Sequence, residues 1–152
     1  MSKKLEKFVS EIELSEIFLE SSYVKNFDFP LSVDPEEISL LFEHTIDHID
    51  FDEAKCLGCF VGIRTVGYKG KNKNIEDLDD IKDKDKAFEI HPTYCLMYDY
   101  SKYKNKLDLK MIEEFKGRVA MFNAHGYIRE YIQSASQKMG LPSVLVPLLE
   151  RG

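Results

Sequence analysis

The sequence predicts an α+β fold, strands first and helices last, and two patterns carry that reading. Residues alternate with period two on either side of a charged segment in the middle of the chain, and apolar residues recur every three or four positions in the C-terminal third. With 152 residues, 43% hydrophobic and 32% charged, the chain is long enough to bury one core without disulfide or metal staples, so a single domain over 1–152 is expected.

The first strand is read from Ile12, Leu14, Ile17, Phe18, Leu19, Tyr23 and Val24, whose alternation slips once around Ser15 to Ile17, as a bulge makes it do. The segment Ile38 to Phe51 supports two readings. Asp34-Pro35-Glu36-Glu37 is a good helix start with Ile38, Leu41, Phe42, Ile46 and Ile49 on one helical face, yet Ile38, Leu40, Phe42, His44, Ile46 and His48 also alternate. Cys56 to Tyr68 is rich in β-branched residues, thinned by Gly58, Gly62 and Gly67. Phe88, Ile90, Pro92, Tyr94, Leu96, Tyr98 and Tyr100 make one apolar face from Phe88 to Tyr100, so these two runs form an antiparallel hairpin. Its long connection, Lys69 to Lys86, mixes both charge signs and reads as a solvated loop.

Two helices follow in the sequence. Leu109, Ile112, Phe115, Val119 and Phe122 form one stripe, and Tyr127, Ile128, Tyr131, Ile132, Ala135 and Met139 the other. Asp108 is placed to cap the first and Gly140 to end the second, with Asn123-Ala124-His125-Gly126 interrupting between them and His125 as a turn residue. The tail Leu141 to Leu149 is apolar but holds Pro142 and Pro147, which forbid a helix and a central strand; it reads as an extended segment over the core.

Composition narrows the function. Twenty-one Lys and Arg against 27 Asp and Glu leave a net charge of −6, the wrong sign for broad phosphate neutralisation, so no nucleic acid is expected. The apolar runs are far shorter than the ~20 residues a bilayer span needs, and no hydrophobic signal segment follows Met1 to Lys7. A cytoplasmic protein without membrane insertion is expected. Three cysteines are too few for a disulfide framework, and Cys56 and Cys59, three apart on a strand, point to opposite faces. Asp79, Asp80, Asp83 and Asp85 lack the glycine and closing glutamate of a calcium loop. His44 and His48 would share a face if helical, but no adjacent glutamate follows the zinc-protease pattern; Ser134 and Ser136 have no histidine near in sequence, and no phosphate or dinucleotide loop occurs. One apolar feature remains: Asn26-Phe27-Asp28-Phe29-Pro30-Leu31 sets two phenylalanines and a leucine in a loop, either folded back as a satellite cluster or open as a binding groove.

Phe122-Asn123-Ala124-His125-Gly126-Tyr127-Ile128-Arg129-Glu130, the helix running on to Met139-Gly140-Leu141-Pro142, and the closing Leu145-Val146-Pro147-Leu148 resemble the SecB family of protein-export chaperones. Tyr127, Arg129, Glu130, Gly140, Pro142 and Pro147 match the family pattern, and Gly126 stands where members carry proline. The specific part covers about thirty residues; the order of four strands and two helices extends more loosely over nearly the whole chain.

The resemblance implies a SecB-like, four-stranded antiparallel sheet with a long helix and a second C-terminal helix on one face, which makes Ile38 to Phe51 a strand. It implies pairing into dimers and a dimer of dimers, and an ATP-independent holdase for unfolded or precursor polypeptides with no catalytic residue and no cofactor. Its client groove would be built on the crossover loop Asn26 to Glu37: Tyr23, Phe27, Phe29 and Leu31, with Tyr94 and Leu96 from the sheet. Arg129 and Glu130 would be structural. Glu16, Glu20 and Glu89 are candidates for docking the SecA translocation motor. The charged tail common beyond this point in export chaperones is missing, which leaves room for a dedicated adaptor for one partner such as an antitoxin. A small metal enzyme using His44, His48, Cys56 and Cys59 is the remaining alternative.

Overall fold

The computed structural model describes residues 1–27, 37–70, 75–141, 144, 146, 147 and 149. Four strands of fourteen residues each make one antiparallel sheet in the order β1-β4-β3-β2: β1 Glu13–Asn26, β2 Ile38–Phe51, β3 Cys56–Lys69 and β4 Lys86–Asp99. Three sequential antiparallel strands are thus flanked by the first strand, which pairs with β4 at the edge opposite β2. Ile38 to Phe51 is a strand, as the resemblance implies. The slip foreseen near Ser15 is a bulge between Leu14 and Glu16, and a second lies between Leu19 and Ser21.

Register assigns the faces, because paired residues share a side. On one face lie Leu57, Cys59, Val61 and Ile63 of β3 with Phe88, Ile90, Leu96 and Tyr98 of β4, and this is the face the helices cover. Gly67 faces Phe88, and the ring occupies the space a Cβ at Gly67 would need, 2.2 Å from Cε1. Both central strands are almost wholly buried, whereas β1 is exposed along nearly its whole length.

The helical layer departs from the sequence reading in one place. α2 (Leu109–Phe115) and α3 (Met121–Lys138) run into each other through a π segment at Lys116–Ala120, and no break occurs at 123–126. The buried apolar positions Met111, Ile112 and Phe115 continue as Ala120, Met121, Ala124, Ile128 and Ile132, with Lys116 also buried at the junction, so one step of the apolar stripe spans five residues, which a π turn accommodates. The stripe built on Leu109 and Phe122 is therefore wrong: they stand 66% and 57% exposed. His125 is a buried residue of α3 rather than a turn residue.

The caps behave as expected. Asp108 accepts the Met111 N–H at 2.8 Å, and Gly140, at φ +75°, closes α3 in a left-handed turn with Gly140 N–H to Gln137 O and Leu141 N–H to Ser136 O, both 3.0 Å. In the tail, Val144 and Val146 are buried, and the carbonyls of Val146 and Pro147 accept from Arg129 Nε (3.0 Å) and His125 Nε2 (2.9 Å).

Two elements were not foreseen. An N-terminal helix, α1 (Lys3–Glu11), is capped by the Ser2 hydroxyl and buries Leu5 and Phe8, the Phe8 ring standing edge-on to Tyr103 and Phe115 at 5.0 and 5.3 Å. The charged connection after β3 is not merely solvated. Leu78 and Ile81, with Ile75 beside them, close a second cluster on the outer face of the sheet over Val66, Tyr68 and Leu41. Arg64 ties this strap down through Asp79 (3.2 Å) and also holds Glu89 (2.9 Å), while Lys86 bridges Glu89 and Asp83.

Candidate polypeptide-binding surface

The exposed strand β1 alternates apolar side chains between its two faces. On the helix side, Leu14, Ile17, Leu19 and Val24 pair with Tyr98, Leu96, Tyr94 and Ile90 of β4. Helix α3 packs chiefly on β4, and Leu14, Leu19 and Val24 remain 41%, 41% and 43% exposed. Tyr94, half-buried beside Leu19, meets Tyr127 of α3 with ring centroids 5.8 Å apart. The result is an apolar gutter with β1 as its floor and the tyrosine pair as its wall. An apolar strip of this kind binds by removing surface from water, about 25 cal/mol per Å², without a directional demand on the ligand's sequence.

Among the described residues, the groove residues named from the sequence do not share one face of the sheet. Tyr94 lines the gutter, but Tyr23 pairs with His91 on the opposite face, 45% exposed. Leu96, fully buried at 0%, belongs to the core and is unavailable to a client. Phe27 is half-buried, its N–H bonded to Ala87 O, with Lys25 Nζ 4.7 Å and Lys86 Nζ 5.5 Å from its ring centroid. Phe29 and Leu31 lie outside the described residues, as does most of the Asn26 to Glu37 crossover.

Of the family-motif residues, Tyr127 is in the gutter wall, Arg129 anchors the tail, Glu130 is exposed, Gly140 ends α3, Pro147 receives His125, and Pro142 lies outside the described residues. Among the acidic candidates, Glu16 and Glu20 are exposed on β1, but Glu89 is 7% exposed and held by Arg64 and Lys86, which removes it from any free acidic surface.

Sequence reasoning passed over Leu14, Leu19 and Val24 as a site. Its signal was the adjacent pair Phe18-Leu19, which puts apolar groups on both faces of one strand, a pattern that a half-covered edge strand does not need.

Little else in the described residues invites chemistry. Cys59 and Cys56 do face opposite sides of the sheet, and burial pushes the Cys59 thiol up to about 12. Among the described residues, no three His, Cys, Asp or Glu side chains are placed to hold a metal ion, and no helix is long and apolar enough to cross a membrane. Burial holds both His91 and His125 below the ordinary histidine value.

Comparison with known proteins places the fold. No family model matches the chain, and no curated protein matches it in sequence. Among solved structures, the Mycobacterium tuberculosis SecB-like chaperone Rv1957, determined in complex with a ChAD peptide from the HigA1 antitoxin, superposes with a TM-score of 0.73 over 99% of both chains, at 14% identity. A protein of unknown function from Streptococcus agalactiae matches with a TM-score of 0.42 at 11% identity, over 91% of this chain and 98% of that one. The class is thus an α+β protein with a four-stranded antiparallel sheet and a C-terminal helical layer. Within that class the chain has the SecB-like fold, as its C-terminal motif led us to expect.

Proposed function

We propose that the protein is a non-enzymatic, SecB-like chaperone that holds unfolded or precursor polypeptides without ATP, its 152 residues working as one domain. The observation that carries the reading is the gutter of Leu14, Ile17, Leu19 and Val24, left open on the helix side of a strand in a chain of net charge −6. Non-directional apolar contact suits many clients, and net acidity favours positively charged ones. Client capture is extended by Phe27, Phe29 and Leu31 of the crossover. A dimer of dimers in the cytoplasm, with Glu16 and Glu20 meeting the SecA motor, completes this reading.

A second reading, a dedicated adaptor for one partner such as an antitoxin, draws support from the SecB-like fold shared with a chaperone that was solved with an antitoxin peptide. Purified protein is expected to suppress aggregation of a chemically unfolded client without nucleotide, and Leu19→Asp with Val24→Asp to abolish this while the particle mass stays unchanged. Retained suppression in that variant, and equally in Phe27→Asp with Phe29→Asp, would move the groove elsewhere, and no suppression by the unaltered protein would overturn the holdase. One stoichiometric partner on co-purification, with no general suppression, selects the adaptor.

A further inference from the structure

Between the turn that joins β2 to β3 and the loop that leads from β4 to α2 lies an open cavity of about 680 Å³, a size typical of small-ligand sites. It shares no residue with the gutter or with the strap. Its first group of polar side chains is a pair of carboxylates at the end of β2. Tyr100, 3% exposed, donates its hydroxyl proton to Asp50 Oδ1 at 2.5 Å, with Asp52 Oδ1 3.4 Å away. Burial and the two carboxylates push the Tyr100 pKa up, so its hydroxyl stays a donor at neutral pH. Only one side-chain oxygen of each aspartate is engaged, and among the described residues the other remains a free acceptor.

The second group is cationic. Lys55 stands at φ +50° and ψ +48°, a left-handed conformation that lysine rarely adopts, with its ammonium 3.1 Å from Asp52 Oδ1. Lys104 reaches back to the Ser101 carbonyl at 3.2 Å, and Lys106 makes no hydrogen bond among the described residues. Three lysines against two aspartates leave a local positive excess in a chain of net charge −6. Leu107, half-buried, adds an apolar wall. A simple cation is opposed by the lysines, and a bare anion by the carboxylates. A molecule with hydroxyls at one end and an anionic group at the other satisfies both.

We infer that this cavity binds a sugar phosphate, with Asp50 and Asp52 accepting from its hydroxyls and Lys104 and Lys106 holding its phosphate. A carboxylate that accepts from sugar hydroxyls and an ammonium that meets a phosphate are each established modes of recognition. The same chemistry is offered by a free sugar phosphate and by the ribose phosphate of a nucleotide. The site does not depend on the holdase reading, since it uses neither Leu19 nor Val24.

The test titrates the full chain by calorimetry with ribose 5-phosphate, ribose, inorganic phosphate and adenosine monophosphate. Ribose 5-phosphate is expected to bind at least about tenfold tighter than ribose or inorganic phosphate. Lys104→Ala with Lys106→Ala, both at exposed positions, should weaken it at least about tenfold and flatten its salt dependence. Asp50→Asn with Asp52→Asn should shrink the preference over inorganic phosphate to under about threefold, since amides accept more weakly and no longer repel a bare anion. Because the aspartates also hold Tyr100, the lysine variant carries the test should the asparagine variant fail to fold. No binding of ribose 5-phosphate, equal affinity for inorganic phosphate, which marks an adventitious ion only, or an unchanged affinity in the lysine variant would each overturn the inference. Adenosine monophosphate bound tighter than ribose 5-phosphate would support the site as one for a nucleotide, and equal or weaker binding as one for a free sugar phosphate.

Discussion

The two halves of the outer sheet face carry the same kind of side chain and differ in what lies over them. Around Val66 and Tyr68 the chain supplies its own cover, and Leu78 is 1% exposed; around Phe18 and Ile49 no described residue does, and Ile49 is 48% exposed. Apolar content alone therefore does not make a core. What seals one half is a segment of high charge whose three apolar residues fall at the right spacing and whose Asp79 finds Arg64. The same comparison separates a residue that contributes to stability from one available to a partner.

The largest expected effect tests that separation directly. Leu78→Ala should cost about 2–4 kcal/mol, because it opens a cavity in a sealed cluster, whereas Ile49→Ala should cost under about 1 kcal/mol. Urea unfolding of the two variants measures the difference, and equal losses would erase the distinction between the halves.

Removing the fastening should come next. Arg64→Met leaves the 7% exposed Glu89 with Lys86 alone and frees Asp79, at a cost of about 1–3 kcal/mol. Limited proteolysis should then cut within 75–85 faster than in the parent; an unchanged rate would mean that the apolar contacts hold the strap without the ion pairs.

Two glycines sharpen the contrast between covered and open positions. Gly67→Ala forces a methyl into the Phe88 ring and should cost about 1–3 kcal/mol, while a Cβ at Gly126 in α3 meets nothing within 4 Å, so Gly126→Ala should gain about 0.5–1 kcal/mol. Thermal unfolding checks both signs.

The smallest effect expected is pH dependence. Burial lowers the folded pKa of His91 and His125 below 6.5, so the unfolded chain binds more protons in the window beneath that value. Stability is full above 6.5 and falls as the pH drops towards the folded values. His91 bonds Thr45 Oγ1 at 3.3 Å on the outer face, and His125 holds the tail at Pro147. Melting temperatures at pH 7.5 and 5.5 should differ less in the His91→Gln, His125→Gln double variant than in the parent; an undiminished difference would assign the acid sensitivity to other groups.

Much of the fold was legible because its signals are local. Period-two alternation marked three of the strands and was half of the evidence for β2; Asp108 and Gly140 act where side-chain and backbone chemistry place them. The π segment was not legible, because a five-residue step between Phe115 and Ala120 looks like noise until the helix is seated on the sheet. The N-terminal helix was hidden for a related reason: Leu5, Phe8 and Val9 are only three apolar residues in nine, and the weight of Phe8 comes from Tyr103 and Phe115, far along the chain. Among the site residues, Tyr23, Tyr94 and Leu96 were grouped by their aromatic or apolar character, but register puts Tyr23 on one face and the other two on the opposite one, and burial then removes Leu96.

The four strands with the helical region after them, the caps, the charge and the C-terminal motif were determined by sequence alone, since each depends on neighbours within a few residues or on composition. Which apolar residues lie beneath a helix, which beneath the strap and which face water was decided only by the tertiary structure. Exposure depends on what the rest of the chain lays across a strand, and no stretch of sequence carries that information about itself.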